Sequence, residues 1–159
     1  MTAPEPAHVT LDSEQRRVLE LTCRQGRSVF YTGPGGVGKS FVTSVILAFL
    51  RAVFSDTFSK AVAITAPTGI AATHIGGTTL HSAMGVGVPL VHEDFASRMG
   101  GGASGGKGKS LATQLQVLLI DEVSMLSAEF LDLLDEQLRA LVAKYGRGPD
   151  NLHRGEKAR

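Results

Sequence analysis

Apolar residues recur with two different spacings along the chain, which predicts an alternation of strands and helices. Short apolar runs at residues 28–32, 61–66 and 115–120 are typical of buried strands in a parallel sheet. Apolar positions at helical spacing over residues 41–53 and 130–142 predict two amphipathic helices. Because strand, helix and strand follow one another in βαβ order, we expect an α/β fold with a parallel sheet and helices on both of its faces.

The turn between the first predicted strand and the next helix is rich in glycine and ends in Gly-Lys-Ser. Its spacing, with four residues between Gly33 and Gly38, is that of a phosphate-binding loop. Glycines let backbone N–H groups surround phosphate oxygens, Lys39 would contact the β- and γ-phosphates, and Ser40 would hold Mg²⁺. A structural glycine turn is the alternative, but the flanking strand and helix favour the phosphate loop. The predicted nucleotide ligands are Gly33, Gly35, Gly36, Val37, Gly38, Lys39 and Ser40.

A second Gly-Lys-Ser, at residues 108–110, is an internal control. Ala103 stands where the first glycine of the pattern belongs, and glycine and serine rather than a strand precede the triplet. We therefore expect a flexible glycine-rich loop over about residues 99–110, with a short helix before it near residues 94–98.

The third apolar run ends in two carboxylates, Asp121 and Glu122. Because parallel strands end at the same edge of a sheet, we expect Asp121 to lie near the phosphate loop and to bind Mg²⁺ directly or through water. Glu122 would act as the general base that polarises the attacking water. An acidic helix start is the alternative for an isolated Asp-Glu pair, and the phosphate loop upstream favours the catalytic interpretation.

A helix is predicted ahead of the first strand. Asp12 is its N-cap, Gln15 completes a capping box three residues later, and Gly26 ends it. The Gln15 amide could instead contact the edge of an adenine base, because it offers both a donor and an acceptor. The spacing alone leaves both roles open.

Residues 67–82, after the second predicted strand, are rich in glycine, threonine and alanine. Ligands of open α/β sheets bind beyond the carboxyl ends of the strands, so hydroxyls and backbone amides here could contact a sugar-phosphate backbone. A helix with a glycine-rich exit is the alternative. For His74 and His81 taken singly, a structural or solvent-exposed role is favoured.

The composition permits one soluble domain and does not by itself indicate a nucleic-acid partner. Of the 159 residues 43% are hydrophobic and 19% charged, and the formal charge of +1 gives no electrostatic argument for nucleic acid. The single cysteine, Cys23, excludes an internal disulfide and suits a reducing compartment. The apolar runs are interrupted and the first residues resemble no signal or transit peptide, so we expect an intracellular protein without membrane contact.

In combination, these segments closely resemble the start of the petite-integration-frequency (Pif) family of superfamily 1B DNA helicases. The most specific pieces are Gly-Pro-Gly-Gly-Val-Gly-Lys-Ser, Thr-Ala-Pro-Thr-Gly-Ile-Ala-Ala, Gly-Gly-Thr-Thr-Leu-His-Ser and Leu-Ile-Asp-Glu-Val-Ser-Met. With the stretch that ends at Gln15, they lie at residues 11–15, 33–40, 65–72, 76–82 and 119–125.

The resemblance implies a RecA-like P-loop NTPase domain over residues 10–146, with a flexible tail at residues 1–9 and an unstructured tail at residues 147–159. It implies ATP and Mg²⁺ as cofactors and 5′-to-3′ unwinding of DNA by a protein that we expect to be a monomer. It further implies DNA repair, recombination and telomere maintenance in the nucleus or the mitochondrion.

The resemblance also implies roles for single residues. By this comparison Gln15 reads adenine, and the side chains that serve ATP hydrolysis are Lys39, Ser40, Asp121 and Glu122. The implied contacts to single-stranded DNA are Pro67, Thr68, Gly69, Thr78, Thr79 and His81.

The chain departs from this family in one respect. Family members continue with a strand ending in a Gly-Asp-Phe-x-Gln-Leu-Pro-Pro-like motif and with a second RecA-like domain that carries an arginine finger, and the 159 residues contain neither. The missing strand would lie between the loop strand and the Asp-Glu strand, so we expect an incomplete sheet and a fragment unable to unwind DNA alone.

Two other functions compete with this interpretation. One is a different P-loop ATPase, such as an AAA-type remodeller, and the other is a degenerate nucleotide- or DNA-binding module without activity.

Overall fold

The computed structural model describes residues 11–86 and 106–145. The predicted tails at residues 1–9 and 147–159 and the predicted helix near residues 94–98 lie outside these ranges. The chain divides into an N-terminal unit, Met1–Asp56, and a C-terminal unit, Thr57–Arg159.

The N-terminal unit begins with the predicted capped helix, α1, which spans Ser13–Leu19. The Asp12 carboxylate accepts a hydrogen bond from the Gln15 backbone N–H (2.7 Å), and the Gln15 side-chain oxygen accepts one from the Asp12 backbone N–H (3.2 Å). The capping-box prediction is therefore confirmed. A π-helical segment, Glu20–Arg24, extends α1, and the chain turns at Gly26 with φ of 61°.

Residues 28–32 were predicted as the first strand, and this prediction is wrong. None of the three strands of the described sheet comes from this segment, and Phe30 within it is 74% exposed. A β-prone sequence becomes a strand only where a neighbouring strand satisfies its backbone groups.

Helix α2, Lys39–Phe54, is the predicted helix after the glycine-rich turn. It buries Val42, Ile46 and Leu50 along one face, whereas Val53 is exposed. A 3₁₀ turn, Ser55–Thr57, and a short helix α3, Phe58–Ala61, follow.

The helical stretch Lys39–Ala61 has the length and apolar composition of a membrane span. Core helices of soluble proteins pass the same test, so the absence of membrane contact stays a prediction.

The C-terminal unit contains a parallel sheet of three strands in the order β2-β1-β3. These strands are β1, Val62–Ala66, β2, Thr78–Thr79, and β3, Val117–Ile120. In the register Thr65 pairs with both Thr78 and Ile120. The predicted α/β fold with a parallel sheet is confirmed, and the two-residue strand β2 was not predicted.

Four helices connect and flank the strands among the described residues of this unit after β1: α4, Gly69–His74, α5, Leu80–Met84, α6, Gly106–Gln114, and α7, Ala128–Tyr145. The start of α7 is capped as predicted, because the Ser127 hydroxyl accepts a hydrogen bond from the Phe130 backbone N–H (3.2 Å). Hydrogen bonds from its own backbone N–H and from Ser127 lower the pKa of Glu129 in the first turn.

Helix α6 corrects the prediction of a loop that extends to residue 110. Glycine in a helix costs about 1 kcal/mol relative to alanine, which is why the local sequence around residues 106–110 predicts a loop. However, α6 packs against α7, and Leu111 and Ala112 of α6 lie against the hydrophobic core. Tertiary packing therefore outweighs the local preference.

The core of the C-terminal unit forms where α5 and α7 meet. Leu80, Met84 and Val86 are inaccessible to solvent, and Leu134 and Leu141 of α7 complete the buried cluster. Leu118 and Ile120 of β3 pack against it, which fixes the carboxyl end of that strand.

Candidate functional site

Two glycines of the glycine-rich turn in the N-terminal unit adopt left-handed backbone conformations. Gly36 and Gly38 both have φ of 82°, a left-handed conformation that residues with a Cβ rarely adopt. Helix α2 begins immediately after them, at Lys39. Its first N–H groups and the positive end of its dipole are therefore available to an anion.

Lys39 bridges the two ends of this loop. Its ammonium group donates to the backbone oxygens of Gly33 (2.7 Å) and Pro34 (2.8 Å). An ammonium group has three donors, so a phosphate oxygen could take the third or compete for the other two. The side chain is thus held inside the loop that it is predicted to serve.

The other predicted ligands of the loop differ in accessibility. Ser40 is exposed in the first turn of α2, Val37 is also exposed, and Gly35 has open space where a Cβ would be. Ligand atoms could therefore approach both the hydroxyl and the backbone at these positions.

Gln15 lies against the loop as well as capping α1. Its side-chain nitrogen donates to the backbone oxygen of Val37 (3.1 Å). The sequence alone allowed two roles for Gln15, capping of α1 and contact with an adenine base. The structure adds a third role, contact with the loop itself.

Asp121 and Glu122 follow β3 directly, as predicted. The Asp121 backbone N–H donates to the Thr65 oxygen (2.8 Å), which continues the ladder between β1 and β3 by one residue. One Asp121 carboxylate oxygen accepts the Glu122 backbone N–H (3.0 Å). Glu122 is exposed and has φ of 50° and ψ of 39°, a left-handed conformation that is unusual for a residue other than glycine.

Thr65 makes a hydrogen bond near Asp121 that the sequence did not predict. It is fully buried in β1, and its hydroxyl donates to the Leu119 backbone oxygen (2.7 Å) two residues before Asp121. The available signal was a hydroxyl side chain in the middle of an apolar strand, where a buried polar group needs a partner.

The predicted DNA contacts lie at the starts of α4 and α5. The Thr68 hydroxyl accepts the Ala71 backbone N–H (3.2 Å), and the Thr79 hydroxyl accepts the Ser82 backbone N–H (3.2 Å), so both threonines are N-caps. Pro67 and Gly69 flank the first cap, and Thr78 is exposed beside the second. The alternative reading of residues 67–82, a helix with a glycine-rich exit, describes α4 correctly.

The two histidines of this segment differ in their surroundings. The His81 ring lies 4.7 Å from the Phe130 ring at the start of α7, measured between centroids, which gives His81 a packing role. His74 is exposed at the end of α4.

The sheet brings the Asp-Glu pair and the threonine-rich segments to one edge. Because β1, β2 and β3 are parallel, residues 67–69 and Asp121, which follow β1 and β3, lie at the same edge as Thr79, the last residue of β2. The described residues contain no group of three or more His, Cys, Asp or Glu side chains that could hold a metal alone.

The family of the chain follows from comparison with known sequences. The family model for PIF1-like helicases matches residues 10–151. The chain belongs to the PIF1-like helicase family.

Similar proteins in this family are named as DNA helicases. The chain is 40% identical over 140 residues to the ATP-dependent DNA helicase PIF7 of Trypanosoma brucei brucei. The aligned region covers 87% of this chain and 13% of that protein. It is 37% identical over 147 residues to the ATP-dependent DNA helicase PIF1 of Xenopus laevis, covering 90% of this chain and 21% of that protein.

A solved structure of the PIF1-like family has the same fold. The crystal structure of Pif1 helicase from Candida albicans superimposes with a TM-score of 0.70 at 36% identity, over 84% of this chain and 29% of that chain. The match confirms the RecA-like fold class and favours a PIF1-like helicase over an AAA-type remodeller. The chain spans less than a third of the length of these relatives.

Proposed function

We propose that this chain is the ATP-binding part of an ATP-dependent DNA helicase of the PIF1-like family. The observation that carries the proposal is the geometry of the glycine-rich turn, in which Gly36 and Gly38 adopt left-handed backbone conformations and Lys39 is held within the loop. The membership of the family and the names of the relatives support ATP as the nucleotide and DNA as the substrate.

In this proposal the N-terminal unit binds the phosphates of ATP. Backbone N–H groups of the loop and of the first turn of α2 would surround the phosphate oxygens, and Lys39 would neutralise charge on the β- and γ-phosphates. The loop carbonyls that now accept from Lys39 orient its ammonium group before the nucleotide arrives.

Mg²⁺ is the proposed metal cofactor. The Ser40 hydroxyl in the N-terminal unit and the Asp121 carboxylate in the C-terminal unit are its proposed ligands, because Mg²⁺ prefers hard oxygen donors together with phosphate oxygens and water. The ion would supply charge neutralisation on the phosphates when bound.

Glu122 is proposed as the general base. It is exposed directly after Asp121, and its left-handed backbone conformation is of the kind that clusters at active sites. A carboxylate within hydrogen-bond reach of the attacking water would take its proton as the water reacts with the γ-phosphate.

Single-stranded DNA is proposed to bind along the starts of α4 and α5, through Pro67, Thr68, Gly69, Thr78, Thr79 and His81. Exposed backbone and hydroxyl groups there could contact phosphates. The resemblance to the Pif family also supports 5′-to-3′ movement. On the same support we propose roles in DNA repair, recombination and telomere maintenance, in the nucleus or alternatively the mitochondrion.

Replacing the loop lysine tests the proposal. Lys39→Ala should weaken Mg²⁺-dependent binding of a fluorescent ATP analogue to the chain roughly tenfold to a hundredfold, because hydrogen bonds to charged groups contribute about 1.5–3 kcal/mol. Fluorescence anisotropy at equilibrium measures this affinity.

The matched control is Lys60→Ala, which removes an exposed lysine from the short helix α3. This variant should bind the analogue as the unmodified chain does. Equal affinities of Lys39→Ala and the unmodified chain would contradict the proposal and favour a degenerate module without a working nucleotide site.

A further inference from the structure

The Gln15 side-chain amide joins two parts of the N-terminal unit. Its oxygen accepts the Asp12 backbone N–H in the capping box, and its nitrogen donates to the Val37 oxygen in the loop, 22 residues away in sequence. Helix α1 and the phosphate-binding loop are therefore connected through one side chain. A contact to a base is not needed for either hydrogen bond.

Gly38 leaves the space that this contact occupies. A Cβ at Gly38 would lie 2.7 Å from the Gln15 side-chain nitrogen, closer than real Cβ atoms approach a neighbouring atom. Gly35 in the same loop has no atom within 4 Å of such a Cβ. The Gln15 amide is thus packed on the turn that precedes α2, at the point where its backbone has φ of 82°.

We propose that Gln15 is a positioning residue that holds the Val37–Gly38 turn in its phosphate-binding conformation, independently of the base of the nucleotide. The proposal rests on the proposed function, since it concerns the same loop. The amide keeps a second N–H and a second lone pair on its oxygen, so a base contact can coexist with this role. The two roles differ in which ligands they affect.

Ligands with and without a base separate the two roles. Gln15→Ala should weaken the binding of inorganic tripolyphosphate by roughly twofold to tenfold, the amount that one hydrogen bond contributes, and should weaken the binding of ATP and GTP at least as much. Calorimetric titration in the presence of Mg²⁺ measures all three affinities. A loss confined to ATP, with tripolyphosphate binding unchanged, would overturn the proposal, because it would leave base reading as the only role of Gln15.

Hydrogen exchange without any nucleotide tests the contact directly. Gln15→Glu keeps an acceptor for the capping box, since glutamate and glutamine both serve there, but it removes the donor to Val37. Amide exchange in the loop at residues 33–38 should become faster in this variant, whereas exchange in α1 should not change. Unchanged exchange in the loop would overturn the proposal.

Two further variants separate positioning from helix stability. Glu14→Ala changes an exposed neighbour on the same turn of α1 and should leave loop exchange and tripolyphosphate binding as they are. Asp12→Ala removes the other half of the capping box and should change exchange in α1 more than in the loop. Equal effects of Asp12→Ala and Gln15→Glu on the loop would show that capping alone explains them.

The exchange result also separates this inference from the proposed function. If Lys39→Ala does not affect ATP binding but Gln15→Glu loosens the loop, the nucleotide assignment fails while the positioning contact stands.

Discussion

Glu122, the proposed general base, has a backbone conformation that costs free energy. Its φ of 50° lies in the left-handed region, where residues with a Cβ lose about 1–2 kcal/mol. Glu122→Gly should therefore raise the free energy of unfolding by about 1 kcal/mol relative to Glu122→Ala, since both variants remove the carboxylate and only glycine relieves the strain. Urea titration followed by circular dichroism measures the difference.

Equal stabilities of the two Glu122 variants would contradict this explanation. Both variants should also lose ATP hydrolysis in any longer chain that hydrolyses ATP, if Glu122 is the general base. If Glu122→Gly is more stable than Glu122→Ala but does not hydrolyse ATP, the result would agree with backbone strain that is retained for catalysis.

For single residues, the sequence predicted the hydrogen bonds whose partners are close together in the chain. Asp12 and Gln15 form the expected capping box because the motif needs only three residues of spacing. The hydrogen bond from Thr65 to Leu119 joins residues 54 positions apart, and the bond from Gln15 to Val37 spans 22. Such contacts depend on tertiary structure, which local spacing does not encode.

The pairing of β2 with β1 depends on a glycine. A Cβ at Gly77 would lie 2.3 Å from the Ile64 backbone oxygen, and backbone cannot move aside cheaply. Gly77→Ala should lower the free energy of unfolding by about 1–3 kcal/mol, the range found for overpacked sites. Chemical denaturation of the variant measures this loss.

Gly69 provides the matched control in the same segment. It begins α4, and a Cβ there would meet no atom within 4 Å. Gly69→Ala should therefore be neutral or slightly stabilising, because alanine favours a helix more than glycine does. A loss of stability as large as that of Gly77→Ala would mean that the close approach to Ile64 is not the cause.

Elements with their own local signals were predicted, and elements that depend on neighbours were not. Helices α1 and α7 begin at side-chain caps, helix α2 has a periodic apolar face, and all three form where expected. Residues 28–32 have a strand-like sequence but no place in the described sheet. Residues 106–110 have a loop-like sequence but belong to helix α6, whose Leu111 and Ala112 lie against the hydrophobic core.

For the molecule as a whole, the parallel sheet was predicted from the βαβ order, although the predicted first strand at residues 28–32 does not join the described sheet. The predicted DNA contacts were placed in the segments beyond the carboxyl ends of strands. The segments proposed to contact DNA carry no positively charged lysine or arginine, because the sequence has neither residue between Lys60 and Arg98. The formal charge of the whole chain is only +1. The DNA affinity proposed for this edge of the sheet would therefore come mainly from hydroxyl and backbone groups.

This charge distribution predicts a weak dependence of DNA binding on salt. Binding to single strands weakens with a slope of about −0.7 for each phosphate neutralised, so one or two phosphates would give roughly a threefold to sevenfold loss between 50 and 200 mM salt. Fluorescence anisotropy of a labelled oligothymidylate across this range measures the slope. A slope that corresponds to six or more phosphates would contradict the prediction and indicate a basic track elsewhere on the chain.

Adding one positive charge to the surface tests where single-stranded DNA binds. Ile70, in the first turn of α4, is 77% exposed, and Ile70→Lys should steepen the salt slope by about one phosphate, whereas Ile70→Gln should not. Val142 of α7 is 53% exposed and lies about 18 Å along that helix from Phe130, at 1.5 Å per residue. Val142→Lys adds the same charge there and should leave the slope unchanged. An equal response to both lysines would mean that net charge, rather than the start of α4, governs the contact with DNA.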